Sequence, residues 1–318
     1  MKKFGKFLLC FVPMIAFLEI NTLVSSIALI YYILVDPDFW SNITSTASIN
    51  FAENYKNVSN SMLAALDDTN FLIAATIAYQ VLAIILGVIF YRFVFKQKKL
   101  ENPGKCLGWR CPVYIVAFSI AIEALIGCLL CYSSVVFPRV IENYSKMMEQ
   151  YGFVELTLAS AIATIFLAPV CEEMIFRGMT LKLAGKFTDK FWIANLIQAL
   201  AFGVAHLNLV QGTYAFILAL FLGFIYRKFD SLWATILVHM TFNFTGTYLV
   251  TPIFGPEGEG QDATIRVIII TVLAIIIVTG MLILICKDKK TKEREPMFFE
   301  RVMIGCTKKE KVANVQNI

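Results

Sequence analysis

Three short polar stretches in the second half of the chain contain side chains that can together hydrolyse an amide bond. The first stretch joins two adjacent carboxylates, Glu172 and Glu173, to Arg177. The second and third stretches carry the two histidines of the sequence, His206 and His239. All three lie within long apolar runs, where an ionisable side chain is costly and by default marks a functional site.

Helical geometry assigns different roles to the two carboxylates. Glu173 and Arg177 are four residues apart, so they lie on nearly the same face of a helix and can form an ion pair. Glu172 is turned by about 100° from Glu173 and is freer to face a site. We therefore expect Glu172 to do the chemistry and the Glu173–Arg177 pair to support it. Pro169 removes one helical hydrogen bond just before these residues and can open the helix locally.

Each histidine has a partner four residues away. Asn243 follows His239, and on one helix face the two side chains can donate hydrogen bonds to a developing oxyanion. Phe202 precedes His206 and is expected to pack against its ring or against the substrate. Gly203 is expected to let two helices approach closely.

Position along the chain predicts that these side chains meet. If two antiparallel helices turn near Asp189, Glu172 and His206 are equally far from the turn, and His239 comes to a similar depth beyond Asp230. A carboxylate and an imidazole at one depth can act as general bases on a water molecule. Glu172 is expected to take the proton of that water, and His206 to orient or deprotonate it.

The composition is that of an integral membrane protein. Hydrophobic residues make up 58% of the 318 residues, and charged residues only 16%. The net charge of +5 comes from lysines and arginines between the apolar segments and at the ends, so it is not a nucleic-acid signal. The expected partners are a peptide or lipidated protein substrate and the lipid bilayer, with no nucleic acid.

The apolar segments predict an all-α, polytopic membrane helical bundle with about eight transmembrane helices. By the distribution of lysine and arginine in short loops, both termini are expected in the cytosol. Three regions are predicted: 1–150 with three transmembrane helices and an outer polar loop at 36–69, 151–252 as the catalytic helical core, and 253–318 with the last transmembrane helix and a charged cytosolic tail. The apolar segments fall at about 9–35, 70–95, 111–137, 154–180, 190–208, 210–227, 231–251 and 264–286.

As a set, the three polar stretches resemble the CAAX prenyl protease and bacteriocin-processing family, called CPBP or Abi. The motifs of that family are EExxxR, FxxxH and HxxxN/D. They match here, in order, Glu172-Glu173 with Arg177, Phe202 with His206, and His239 with Asn243. The resemblance covers about residues 154–250, and every motif position matches.

The resemblance implies an intramembrane endopeptidase (a hydrolase) in the cell membrane, with a cavity open to the cytosol. It implies that Glu172 and His206 activate water, and that His239 and Asn243 form an oxyanion hole. The implied substrates are prenylated CAAX-type tails, pheromone precursors or bacteriocin leaders. Members have also been described as metalloproteases, with Glu172, His206 and His239 as the zinc ligands in that case. We favour a mechanism without a cofactor, because short His–His spacing on one helix is missing.

Two other functions remain open from the sequence. The chain is alternatively a catalytically silent scaffold or bacteriocin immunity protein, which keeps the fold and binds a partner. It is less readily a proton-coupled transporter, because convincing inverted repeats are not found. Glu123 lies in the middle of the third apolar segment without a nearby positive partner, and it could line a substrate path.

Overall fold

The computed structural model describes residues 2–35, 51–94, 110–150, 157–247 and 261–287. Within these ranges the chain forms helices and no strands, which confirms the predicted all-α bundle. The helices are α1 (Lys2–Leu9), α2 (Val12–Val35), α3 (Phe51–Asp67), α4 (Thr69–Val94), α5 (Arg110–Val136), α6 (Pro138–Gln150), α7 (Leu158–Phe187), α8 (Phe191–Ala205), α9 (Leu209–Phe229), α10 (Leu232–Thr245) and α11 (Gln261–Lys287).

Six helical segments in the described ranges are long and apolar enough to cross a membrane. The protein is therefore a multi-pass membrane protein. Each segment corresponds to one of the predicted apolar segments, and α1 and α2 together make the first of them. The segments are Phe4–Val35, Thr69–Tyr91, Pro112–Val136, Leu158–Phe187, Leu209–Phe229 and Thr264–Lys287.

The other two predicted segments form helices that are shorter than expected. α8 has 15 residues and α10 has 14 residues. At 1.5 Å per residue each is only about 22 Å long, whereas the apolar core of a bilayer is about 30 Å thick. These short helices carry the second and third polar stretches.

Two helices lie where the sequence did not predict them. α3 occupies the second half of the predicted polar loop 36–69, and α6 lies directly after the third span. Asp68 explains the boundary between α3 and α4, because its Oδ1 accepts hydrogen bonds from the backbone N–H groups of Asn70 and Phe71. That is an N-cap interaction, which starts a new helix. Residues 36–50 of the predicted loop lie outside the described residues.

Helices α8 and α9 pack very closely, as the position of Gly203 predicts. A Cβ atom added at Gly203 would lie 2.7 Å from the carbonyl oxygen of Gly212, and one added at Gly212 would lie 2.7 Å from that of Gly203. Both positions therefore require glycine. Asn195 and Gln198 on α8 donate further hydrogen bonds to the carbonyls of Leu220 and Ala219 on α9.

Candidate functional site

Helix α7 presents the two carboxylates between two widened turns. Residues Ile162–Leu167 and Phe176–Thr180 are π-helical, and Pro169 lies in the first turn of the α-helical stretch Ala168–Ile175 between them. Single π-turns inside α-helices are frequent at functional sites. The local opening expected around Pro169 is therefore accompanied by two interruptions of the regular helix.

Glu173 and Arg177 form the ion pair that their spacing predicts, and His239 joins it. Nη1 of Arg177 donates to Oε1 of Glu173 at 2.8 Å, and both side chains are fully buried. Nδ1 of His239 lies 2.8 Å from the same oxygen. Since a carboxylate can only accept, Nδ1 of His239 carries the proton. The first and third polar stretches are thus tied together by one carboxylate oxygen.

The other ring nitrogen of His239 faces Glu172. Nε2 lies 3.7 Å from Oε2 of Glu172, which is beyond the length of a direct hydrogen bond. The Glu172 side chain keeps 16% of its surface exposed, whereas that of Glu173 keeps none. The adjacent carboxylates therefore differ as predicted: one is buried in an ion pair and the other is accessible.

Phe202 connects all three polar stretches. Its ring centroid lies 4.8 Å from that of His206 and 5.8 Å from that of His239, in both cases edge to face. The guanidinium carbon of Arg177 lies 4.7 Å from the same centroid, a cation–π contact. Phe202 is only 1% exposed. It therefore packs against His206, the first of the two expected roles, and its burial leaves little surface for the second, contact with the substrate.

His206 lies at the end of α8, which stops three residues before the end of the predicted apolar segment 190–208. It is the C-cap residue of α8, and the following Leu207 has a φ of 51°. Asn208 then caps the N-terminus of α9 by accepting a hydrogen bond from the backbone N–H of Gln211. This polar cap ends the apolar run, because it stabilises the start of a second helix.

The tautomer of His206 follows from its contact with the backbone. Its Nδ1 lies 2.8 Å from the carbonyl oxygen of Phe202. A carbonyl only accepts, so Nδ1 carries the proton and the neutral ring presents Nε2 as an acceptor. His206 is half-buried, so this nitrogen is not sealed in the core.

Asn243 contacts α7 through its side-chain amide. Its Nδ2 donates to the carbonyl oxygen of Thr164 at 2.8 Å. Thr164 lies in the π-helical turn Ile162–Leu167. One of the two N–H bonds of the amide is used in this contact, which fixes the orientation of the side chain and leaves the second N–H for another acceptor.

The three predicted zinc ligands are not arranged as a metal site. In the described ranges, no three side chains of His, Cys, Asp or Glu form a group that could hold a metal ion. Nδ1 of each histidine donates to an oxygen acceptor, which leaves only Nε2 of each ring as a possible metal ligand. Glu172, His206 and His239 therefore do not fit zinc in this arrangement, and the absence of a cofactor stays a prediction.

Two tyrosines near Glu172 were not predicted. Tyr79 on α4 and Tyr214 on α9 both lie within electrostatic range of the Glu172 carboxylate. The hydroxyl of Tyr214 is 2.8 Å from that of Tyr144 on α6. Neither residue stands at a helical spacing from the three polar stretches, because they approach from other helices, so the sequence gives no local signal for them.

A family model described as type II CAAX prenyl endopeptidase Rce1-like matches residues 154–245. The predicted resemblance to the CPBP family is confirmed. The matched segment is less than a third of the chain, and it contains all three polar stretches. Searches of curated proteins and of solved structures found no significant match.

The Rce1-like segment supports a CAAX-type intramembrane protease in general. It runs from just before α7 to the last residue of α10, and so includes the two short helices. The family is one of proteases, which suggests a hydrolase acting on a peptide or prenylated protein in a membrane. The roles of individual residues and the identity of the substrate are proposals.

Proposed function

We propose that the protein is an intramembrane endopeptidase that hydrolyses a peptide bond with water activated by Glu172 and His206. The observation that carries the proposal is the meeting of the three polar stretches on one ring. Arg177, His206 and His239 all contact Phe202, and His239 also lies beside Glu172. Ionisable groups within apolar helices are energetically costly, so their convergence indicates a functional site.

In the proposed reaction Glu172 accepts a proton from water, and the water oxygen attacks the carbonyl carbon of the scissile peptide bond. His206 assists by orienting the water through Nε2, which its backbone contact leaves as an acceptor. The carbon–nitrogen bond then breaks, and the proton held by Glu172 passes to the leaving amine. Carboxylate and imidazole bases typically contribute about 10²- to 10⁴-fold to such a rate.

His239 and Asn243 are proposed to bind the oxyanion that forms during the attack. Nδ1 of His239 is held by Glu173, which aims Nε2 at the Glu172 side of the site. A protonated His239 ring would donate from both nitrogens, and its charge together with that of Arg177 would balance the two carboxylates. The second amide N–H of Asn243 would complete the oxyanion hole. Donors placed in this way act most strongly in a water-poor environment.

The proposed substrates are a prenylated CAAX-type tail or a leader peptide of the bacteriocin or pheromone type. Both are short, both can enter from a membrane, and both suit a site between short membrane helices. A position in the cell membrane belongs to the same proposal, whereas bacteriocin immunity belongs to the alternative of a catalytically silent protein that binds a partner. A site open to the cytosol is expected if both termini are cytosolic.

Cleavage of defined peptides by the purified protein tests this function. The protein in lipid nanodiscs is incubated with a farnesylated CAAX-type peptide and with a leader-bearing peptide, and products are identified by mass spectrometry. Cleavage is expected for the wild type and is expected to fall at least about 100-fold in Glu172→Gln and His206→Ala. Glu149→Gln, which changes an exposed carboxylate on α6, is the matched control and should cleave normally.

Three outcomes would overturn the proposal. Unchanged cleavage in Glu172→Gln would exclude Glu172 as the base. No cleavage of either peptide by the folded wild type, while the protein still binds them, would favour the catalytically silent scaffold. A proton flux that depends on Glu172 would favour the transporter.

A further inference from the structure

Glu123 on α5 is a buried carboxyl group that the proposed reaction does not use. Glu123 is only 7% exposed, and its Oε2 has no hydrogen-bond partner among the described residues. A buried polar atom without a partner is costly, so it calls for an explanation. Ser119, one turn earlier on the same helix, shows the usual solution, since its hydroxyl donates to the carbonyl of Ile115.

The position of Glu123 relates it to the proposed site. A Cβ atom added at Gly246 would lie 2.7 Å from Oε1 of Glu123, so the carboxyl group occupies the space that the glycine leaves open. Gly246 follows Asn243 by three residues, which places both on one side of the helix. Three residues advance about 4.5 Å along a helix axis, which is the length of one to two residues of extended peptide.

Polar groups of other helices surround the same place. Tyr144 on α6 and Tyr214 on α9 lie within electrostatic range of Glu123, and Tyr214 is also within range of Glu172. Tyr214 is thus within electrostatic range of both carboxyl groups. Glu123 lies against Gly246, which is three residues from the proposed oxyanion donor Asn243.

We propose that Glu123 binds a backbone N–H group of the substrate peptide, one or two residues from the scissile carbonyl. This inference rests on the proposed function. A peptide must be extended to be cleaved, and in a membrane its exposed N–H groups need acceptors. A carboxyl group has an oxygen that can accept a hydrogen bond from N–H whether or not the group is protonated. Because the contact reads the backbone, it should be equally important for prenylated and leader-type peptides.

The test measures cleavage and binding separately. KM and kcat are measured for a dansylated farnesylated CAAX-type peptide and for a dansylated leader peptide, and the Kd of each is measured on the inactive Glu172→Gln protein. Glu123→Leu, which removes the acceptor oxygens at nearly constant size, is expected to raise KM and Kd about tenfold for both peptides, with kcat changed less than about threefold. Ser119→Ala, a buried polar change on the same helix, is the control and should leave both constants unchanged.

A second variant keeps the inference testable if Glu123→Leu does not fold. Gly246→Ala keeps the Glu123 side chain but forces its carboxyl group to move, so it is expected to raise KM and Kd in the same way. In a Glu123→Ala background the added methyl group has room, and its extra effect should vanish. A coupling of this kind is the signature of two residues acting at one place.

The possible results separate this inference from the proposed function. Wild-type cleavage with unchanged KM and Kd in Glu123→Leu would overturn the role of Glu123 and leave the peptidase function standing. A lower melting temperature without a change in KM or Kd would show a structural role only and would also overturn it. Failure of the folded wild type to bind or cleave either peptide would refute both.

Discussion

His239 and Glu173 are joined by a 2.8 Å contact between Nδ1 and Oε1, across 66 residues of sequence. The same oxygen accepts the hydrogen bond of Arg177. One buried carboxylate thus fixes the orientation of an imidazole and neutralises a guanidinium. The adjacent Glu172 has neither role, since it is part-exposed and lies 3.7 Å from the other side of the ring.

Replacing each glutamate by glutamine should therefore affect the stability of the protein differently. Glu173→Gln leaves Arg177 as an uncompensated buried charge, which costs about 3–5 kcal/mol, so the melting temperature should fall strongly together with activity. Glu172→Gln should abolish cleavage while the melting temperature stays near that of the wild type. Thermal unfolding in nanodiscs and the cleavage assay, run on the same preparations, measure both. A stable Glu173→Gln protein, or a Glu172→Gln protein that unfolds easily, contradicts this division.

Phe202→Leu tests the connection of the three polar stretches through one ring. The change removes a cation–π contact and edge-to-face contacts, each worth about 0.5–1.5 kcal/mol, and lets His206 and His239 move. We expect a lower melting temperature and at least a tenfold loss of kcat. Phe118→Leu is the matched control, because Phe118 is fully buried and contacts Phe221 edge to face in another part of the core. It should lower the melting temperature without a comparable loss of kcat.

Gly203→Ala tests the close approach of α8 and α9. The new methyl group would lie 2.7 Å from the carbonyl oxygen of Gly212, so the helices must separate. Overpacking of this kind typically costs about 1–3 kcal/mol. Because His206 ends α8, activity should fall as well. Gly280→Ala on α11 meets nothing within 4 Å and should be neutral in both measurements. Equal melting temperatures for the two variants would show that the contact is not tight.

Chelation tests the preference for a mechanism without a metal ion. Within the part of the chain that the structure describes, no three side chains of His, Cys, Asp or Glu form a group that could hold a metal ion. We expect cleavage to persist after treatment with 1,10-phenanthroline and dialysis. A loss of activity that zinc restores would show that Glu172, His206 and His239 rearrange around an ion.

Local spacing was sufficient to predict part of the site. The i,i+4 relation between Glu173 and Arg177 gave their ion pair, and the offset of Glu172 gave its exposure. The apolar segments gave the helices, because about 20 apolar residues are what a membrane-spanning helix requires. These features depend on residues that are close in sequence or on composition averaged over a segment.

Contacts between distant helices could not be predicted in this way. The link from His239 to Glu173, the contact of Asn243 with Thr164 and the approach of Tyr214 to Glu172 depend on how helices are arranged, which periodicity does not encode. The helix end at His206 was predicted only approximately, because the apolar segment 190–208 extends three residues beyond the end of α8 at Ala205. Apolar residues continue on both sides, and only the cap at Asn208 and the positive φ of Leu207 interrupt them.

Tyr144 connects α6 to this arrangement, and its removal should loosen that helix. Its hydroxyl contacts that of Tyr214 at 2.8 Å, so Tyr144→Phe leaves a buried hydroxyl without its partner at a cost of about 1–3 kcal/mol. Limited proteolysis should then cut α6 faster. Tyr132→Phe is the control, because its hydroxyl contacts Thr271 in an exposed position, and it should not change the rate.

The pH dependence of stability gives a second readout of the same tyrosine. Burial raises the pKa of Tyr144 above its ordinary value of 10.0; the nearby Glu123 adds to the shift, and the hydrogen bond with Tyr214 opposes it. The folded state then holds the proton more tightly than the unfolded state, so this contribution to stability is complete below pH 10 and is lost as the pH rises above it. The difference in melting temperature between the wild type and Tyr144→Phe should therefore shrink above pH 10. A difference that grows with pH would mean that Tyr144 ionises more easily in the folded protein, which its burial beside Glu123 opposes.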